Sequence, residues 1–136
     1  VWAPLDDVDS ETGGVVYLRS SHKSNKVFKP NWFVVNESLP GTEGNDLPNI
    51  EISDEKLDLI QFNTKPGDLV VHHALTLHGA GANSSASRQR RAVSVRYCGD
   101  DSTYKIRSGA PKKPHHENMR TGEPVVDHPD CPLVWG

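Results

Sequence analysis

GDLVVHHALTLHGAGANSSASRQRRAVSVRY, residues 67–97, decides how this chain is read. Two apolar runs flank a turn of Gly, Ala, Asn and Ser, with a histidine leading in and arginines leading out. Val93, Val95 and Tyr97 alternate with Ala92, Ser94 and Arg96, so a strand is expected over 91–98. Leu69 to Leu77 reads as one strand or two abutting ones, His78 as its end, and Gly79 to Ser87 as a turn. Before it, KPGD at Lys65–Asp68 is a sharp turn punctuated by Pro66-Gly67.

Working outward, Val1 to Leu5 reads as a short strand carrying Trp2, and Val15 to Arg19 as a second strand. The turn between them, DDVDSETGG at Asp6–Gly14, is acidic but lacks the alternate acids, central glycine and closing glutamate of an EF-hand. A solvated turn is expected there. EKLDLIQFN at Glu55–Asn63 reads as another strand. Ser20 to Asn49 has no period and carries Pro30, Pro40 and Pro48. Connections in compact domains are usually about 4–6 residues, so a loop this long suggests a lid or a binding loop. Trp32, Phe33, Val34 and Val35 in its middle are expected to dock as an apolar segment. Beyond Asp101, Pro111, Pro114, Pro124, Pro129 and Pro132 keep a tail extended, and its PLVWG end is expected to wrap back onto the body. No helix of normal length is expected. Short strands with Gly/Pro turns point to an all-β sandwich or barrel.

Composition narrows the classes of function. The chain has 136 residues, enough for one domain or part of one, and 35% of them are hydrophobic. Mean hydropathy is -0.60, so the core must be concentrated in the strand-like runs. A net charge of -3 gives no reason to expect nucleic acid or an anionic membrane as partner. No stretch approaches the ~20 apolar residues of a membrane span, and no signal-peptide core is present. Cys98 and Cys131 fit neither a disulfide scaffold nor a zinc cluster and are expected as free thiols of a cytoplasmic protein. A start on Val1 reads as the continuation of a longer chain.

Seven histidines are the first place to look for chemistry. There is no HExxH zinc signature and no GxSxG elbow, and no third group orients the serines near histidines. His78 is the best metal-ligand candidate, because it stands beside a turn of small residues. Non-haem iron(II) sites use two histidines and one carboxylate and leave the opposite positions open. Arg90 is the candidate anchor for an acidic co-substrate, since a guanidinium grips a carboxylate through two parallel hydrogen bonds. Strand alternation puts Ala92 and Ser94 on the face of Arg90, where small side chains leave room for a bound acid. Arg88 and Arg91 remain alternatives for the same role.

Taken together these segments resemble the phytanoyl-CoA dioxygenase family. VWAPLDDVDSETGGVVYLRSSHK is similar to its strand, acidic turn, Gly-Gly, strand and "GSHK" segment, through Trp2, Asp6, Asp7, Gly13, Gly14, Ser21, His22 and Lys23. KPGDLVVHHALTLHGAGANSS is similar to its "GD…H-G-x-G-x-N-x-S" segment, and RRAVSVRY to its closing strand. The resemblance covers about residues 1–98. It implies a double-stranded β-helix (jelly roll, cupin-like), incomplete at its N-terminus. It also implies an oxidoreductase using Fe(II) and 2-oxoglutarate to hydroxylate a small organic molecule, with release of succinate and CO₂. On this resemblance His78 matches the distal iron-binding histidine, Arg90 the 2-oxoglutarate anchor with Ser94 beside it, and Asn83 a turn position suited to backbone hydrogen bonding. Residues 1–106 then form the C-terminal part of the oxygenase domain, with 20–50 as a lid-like insertion and 107–136 as a tail packing on the barrel.

The chain departs from the family pattern in one respect. The family's other two ligands form an H-x-D pair ahead of this region, and nothing before His78 supplies one: His22 is followed by Lys23 and Ser24. His115-His116-Glu117 and His128-Pro129-Asp130 come after His78, in the wrong order. The expectation is an incomplete iron site and a chain inactive by itself. The alternative is a non-catalytic cupin-like module that binds a ligand or oligomerises. Missing strands would leave open sheet edges, which invite pairing with a second copy.

Overall fold

A computed structural model describes residues 1–32, 35, 37–50, 55–109, 118–125 and 131–134. Its regular elements are five short strands: β1 (Trp2–Pro4), β2 (Val15–Leu18), β3 (Leu59–Gln61), β4 (His78–Ala80) and β5 (Ala92–Ser94). The helical content of the described residues is a single 3₁₀ turn, Ser21–Ser24. The protein is therefore all-β, as the sequence pattern predicts.

The strands form two antiparallel sheets, one of order β1-β5 and one of order β3-β2-β4. Every pairing joins segments far apart in sequence. Trp2 pairs with Ser94, Ala3 with Val93 and Pro4 with Ala92. In the second sheet Tyr17 sits opposite Ile60 on one side and opposite His78 on the other. Isolated bridges from Trp2 to Val70 and from Val8 to Thr64 extend the pairing. The ladder beside β5 runs past the strand ends, since Leu5 N–H donates to Arg91 O and Val95 N–H to Val1 O, each at 2.9 Å.

Two expectations change in detail. Residues 69–77 hold no regular strand beyond the Val70 bridge. Here His73 captures the backbone: Leu75 N–H donates to its Nδ1 at 3.1 Å, and Thr76 N–H to its carbonyl at 2.9 Å. A side chain that bonds its own neighbouring backbone competes with a strand ladder. His78 consequently opens β4 instead of ending a strand, and Gly79 and Ala80 belong to that strand. The strand expected at 55–63 contracts to β3, because Glu55 to Leu57 form a turn.

The chain divides into two compact units, Val1–Phe28 with Leu47–Arg96, and Lys29–Asp46 with Tyr97–Gly136. The first holds all five strands and a small core in which Val8, Val16 and Tyr17 are buried. In the second, Lys29 N–H bonds Asn45 O and Leu39 N–H bonds Pro30 O. There Tyr104 N–H donates to Glu123 O, Lys105 pairs with Glu43, and Met119 is buried. Trp32 and Val35 are exposed, as are Leu133 and Val134; Phe33, Val34 and Trp135 lie outside the described residues. No described helix is long and apolar enough to cross a membrane.

Candidate active site

His78 is held by β2. Its β4 position faces Tyr17, and the two rings lie 5.9 Å apart with planes 26° from parallel. Ser21, in the turn after β2, clamps the approach: its hydroxyl donates to Leu18 O at 2.7 Å and accepts from Leu77 N–H at 2.9 Å. The serine of the "SHK" motif thus fixes the backbone immediately before His78. The His78 Nδ1 stands 2.8 Å from Thr76 O. A carbonyl only accepts, so Nδ1 is the donor in this contact, and in the neutral form of the ring the lone pair then lies on Nε2.

A second imidazole stands beside it. The rings of His72 and His78 are 4.7 Å apart, and Tyr17 is 5.2 Å from His72. His72 Nδ1 faces His73 O at 3.2 Å. Burial, reinforced by the neighbouring His78, holds the His72 imidazole below its ordinary pKa despite the opposing pull of the His73 carbonyl. Burial likewise pushes the Tyr17 phenol up. His72 and His73 line a shallow depression with Tyr17, His22 and Phe62. His22 and His73 approach each other there at 5.6 Å.

The acidic turn is engaged with arginines. Arg88 donates to Asp9 through both terminal nitrogens, at 2.7 and 3.1 Å, and also reaches Glu11. Arg91 grips Asp6 through Nε and Nη2, at 3.0 and 2.7 Å, while its backbone N–H adds a third bond to the same carboxylate. These contacts pull both Asp6 and Asp9 down to about 2, led by the side-chain hydrogen bonds from Arg91 and Arg88 respectively. Arg90 lies between these two and has no ion pair among the described residues; its Nε is buried and without a partner there. Ser94 is exposed in β5 opposite Trp2.

The turn after β4 is locked to the acidic turn. Ser84 bonds Glu11 O through both its backbone N–H and its hydroxyl. Gly13, at φ +75°, packs so closely that a Cβ there would sit 2.5 Å from Gly81 O. Asn83 takes the backbone role its position suggests, donating to Arg88 O at 2.8 Å and accepting from Ser85 N–H at 2.9 Å.

Iron(II) needs a larger donor set than these residues offer. Among the described residues no group of three or more His, Cys, Asp or Glu is placed to hold a metal. His115, His116, Glu117, His128 and Asp130 lie outside the described residues. The Arg90 Nε is a buried donor with no acceptor among the described residues, which costs free energy unless a partner is supplied. Cys98 and Cys131 are free thiols, as expected.

Antiparallel short strands, with His78 opening β4 and Arg90 lacking an ion pair among the described residues, define a β-fold protein. The model of the phytanoyl-CoA dioxygenase (PhyH) family matches residues 1–92, and the chain belongs to that family. A Caenorhabditis elegans protein described as a probable phytanoyl-CoA dioxygenase is 28% identical over 100 residues, 74% of this chain. The matched region spans 30% of that relative's length. No solved structure matches.

Proposed function

We propose that this chain carries the His78 and Arg90 part of an iron(II)/2-oxoglutarate-dependent dioxygenase that hydroxylates a small organic substrate. Family membership supports the oxygenase class. The observation that carries the residue assignment is the state of the three arginines. Arg88 and Arg91 are committed to Asp9, Glu11 and Asp6, whereas Arg90 keeps a buried, unpartnered donor among the described residues. Arg90 therefore suits the distal carboxylate of 2-oxoglutarate, and Ser94, in the strand that follows it, is the second residue proposed for that role. His78 offers Nε2 as an iron ligand because Thr76 O occupies its other nitrogen.

On this reading the H-x-D ligands belong to the remainder of a longer protein, and the fold completes a double-stranded β-helix. The pairing of β1 with β5, across everything between them, suits such a wrapped topology.

The test is turnover of 2-oxoglutarate to succinate by the full-length protein. His78→Ala is expected to abolish it. Arg90→Ala should raise the 2-oxoglutarate requirement at least about tenfold, and Arg90→Lys should not restore it, since lysine cannot form the paired hydrogen bonds. Unchanged turnover in His78→Ala would overturn the assignment and leave the non-catalytic cupin-like module as the better reading.

A further inference from the structure

We propose that the face of the β1–β5 sheet turned away from Trp2 and Val70 is a dimerisation surface whose occupant is a second copy of this chain. The proposal stands apart from the dioxygenase reading and uses none of its site residues.

The pairing register gathers large apolar side chains on that face. Side chains alternate across a strand, so residues two apart share a face. Val93 lies opposite Ala3, and Val95 lies beside Val1, whose carbonyl accepts the Val95 N–H at 2.9 Å. On the other side of β1, Trp2 and Val70 exchange backbone hydrogen bonds at 2.8 and 2.9 Å. That bridge sets Leu69 beside Ala3 and Val71 beside Val1. Leu5 continues the β1 row, its N–H donating to Arg91 O. Accessibility follows the same alternation. Leu5, Leu69, Val71, Val93 and Val95 are 51%, 64%, 73%, 46% and 43% exposed, whereas Trp2, Pro4, Val70 and Ala92 on the opposite face are half-buried or buried.

Such a face is unfavourable in water. Those exposures leave roughly 500 Å² of contiguous apolar surface per copy, at the upper end for a soluble monomer. Two such faces together bury roughly 1,000 Å², which meets the lower bound for a specific interface. The unit that carries the sheet has a small core of its own, with Val8, Val16 and Tyr17 as its buried hydrophobic side chains among the described residues.

The chemistry favours a like partner. None of the five exposed side chains is charged, and Arg91, the basic neighbour of Leu5, is turned to Asp6. A charged partner finds no complement there, while a second copy offers the same apolar rows. A two-fold axis lays each face on its own copy, and twisted sheets pack face to face about 10 Å apart, as in a β-sandwich.

The experiment is sedimentation equilibrium of the 136-residue chain from low micromolar to high micromolar concentration, at low and high salt. A reversible monomer–dimer equilibrium is expected, no weaker at high salt because the face is uncharged. Val93→Lys and Leu69→Lys should each raise the dimer dissociation constant at least about tenfold, since each places an ammonium between two apolar faces. Val27→Lys, at an exposed valine outside both sheets, should change it less than about twofold. Methyl NMR of the unmutated chain gives a readout that needs no variant. On dilution the signals of Leu69, Val71, Val93 and Val95 should move, while those of Val8 and Val16 in the core stay.

A chain that is monomeric at every concentration would overturn the proposal, as would a dimer indifferent to both lysines. So would a monomeric full-length protein in which these methyls are shielded, because the face then belongs to that protein's own remaining chain. The dioxygenase reading is scored separately, by succinate formation in the full-length protein.

Discussion

Tyr17 and His78 stand directly opposite each other in the β2–β4 pair, ring against ring at 5.9 Å. Tyr17 is among the few buried apolar residues, and it also contacts His72 and Phe62. The core and the histidine pair therefore share one side chain. Tyr17→Ala should cost about 3–5 kcal/mol in urea denaturation, the range for deleting a buried aromatic ring. Tyr17→Phe should be close to neutral, since it keeps the ring contacts with Phe62, His72 and His78.

Ser21 predicts a local effect. Its hydroxyl joins Leu18 O to Leu77 N–H across the approach to His78. Ser21→Ala should cost about 1 kcal/mol, in the range of one net hydrogen bond or slightly more. Hydrogen exchange at the Leu77 amide should accelerate selectively, while amides in β5 keep their protection.

Gly13 predicts a steric effect. At φ +75° it faces Gly81 O and Ala82 O, where a Cβ would lie at 2.5 and 2.9 Å. Both obstructing atoms are backbone and cannot swing aside. Gly13→Ala should lose at least about 1–3 kcal/mol from the left-handed conformation and the clash together. Gly67→Ala meets no neighbouring atom, so it should show only the cost of its positive φ.

Acid stability follows from Asp6 and Asp9. Their pKa values of about 2 in the fold lie below the ordinary 3.8. Carboxyls depressed by folding stabilise the native state above their unfolded pKa, and that contribution fades as pH falls towards the folded value. The protein should therefore lose stability between about pH 4 and pH 2, followed by fluorescence. Arg91→Gln or Arg88→Gln should return the partner carboxyl towards its ordinary value and flatten this dependence. High salt should weaken it too, because these pairs are solvent-accessible.

The arginine cluster also shows how far local sequence reaches. RQRR reads as a charge run, and DDVDSE, far upstream, as a solvated turn. Neither segment contains information about the other. Once β1 pairs with β5, Asp6 meets Arg91, and Asp9 with Glu11 meets Arg88. The sequence favours Arg90 and leaves Arg88 and Arg91 as alternatives; the ion pairs that occupy those two arise only on folding. Likewise, the apolar pattern of residues 69–77 suggests a strand, but His73 diverts the backbone through its own hydrogen bonds.

By itself the sequence determined the all-β class, the places of β1, β2 and β5, though the strand expected over 91–98 contracts to Ala92–Ser94, the turn chemistry and the family resemblance. Those properties depend on period-two alternation, β-branched content and Gly/Asn/Ser turns, which are written in neighbouring residues. Only the tertiary structure decided that His78 opens a strand opposite Tyr17, that His72 is its ring neighbour, and which arginine is left uncommitted. Those relationships join residues up to 85 positions apart, as in Arg91 with Asp6, and only long-range antiparallel pairing sets such distances.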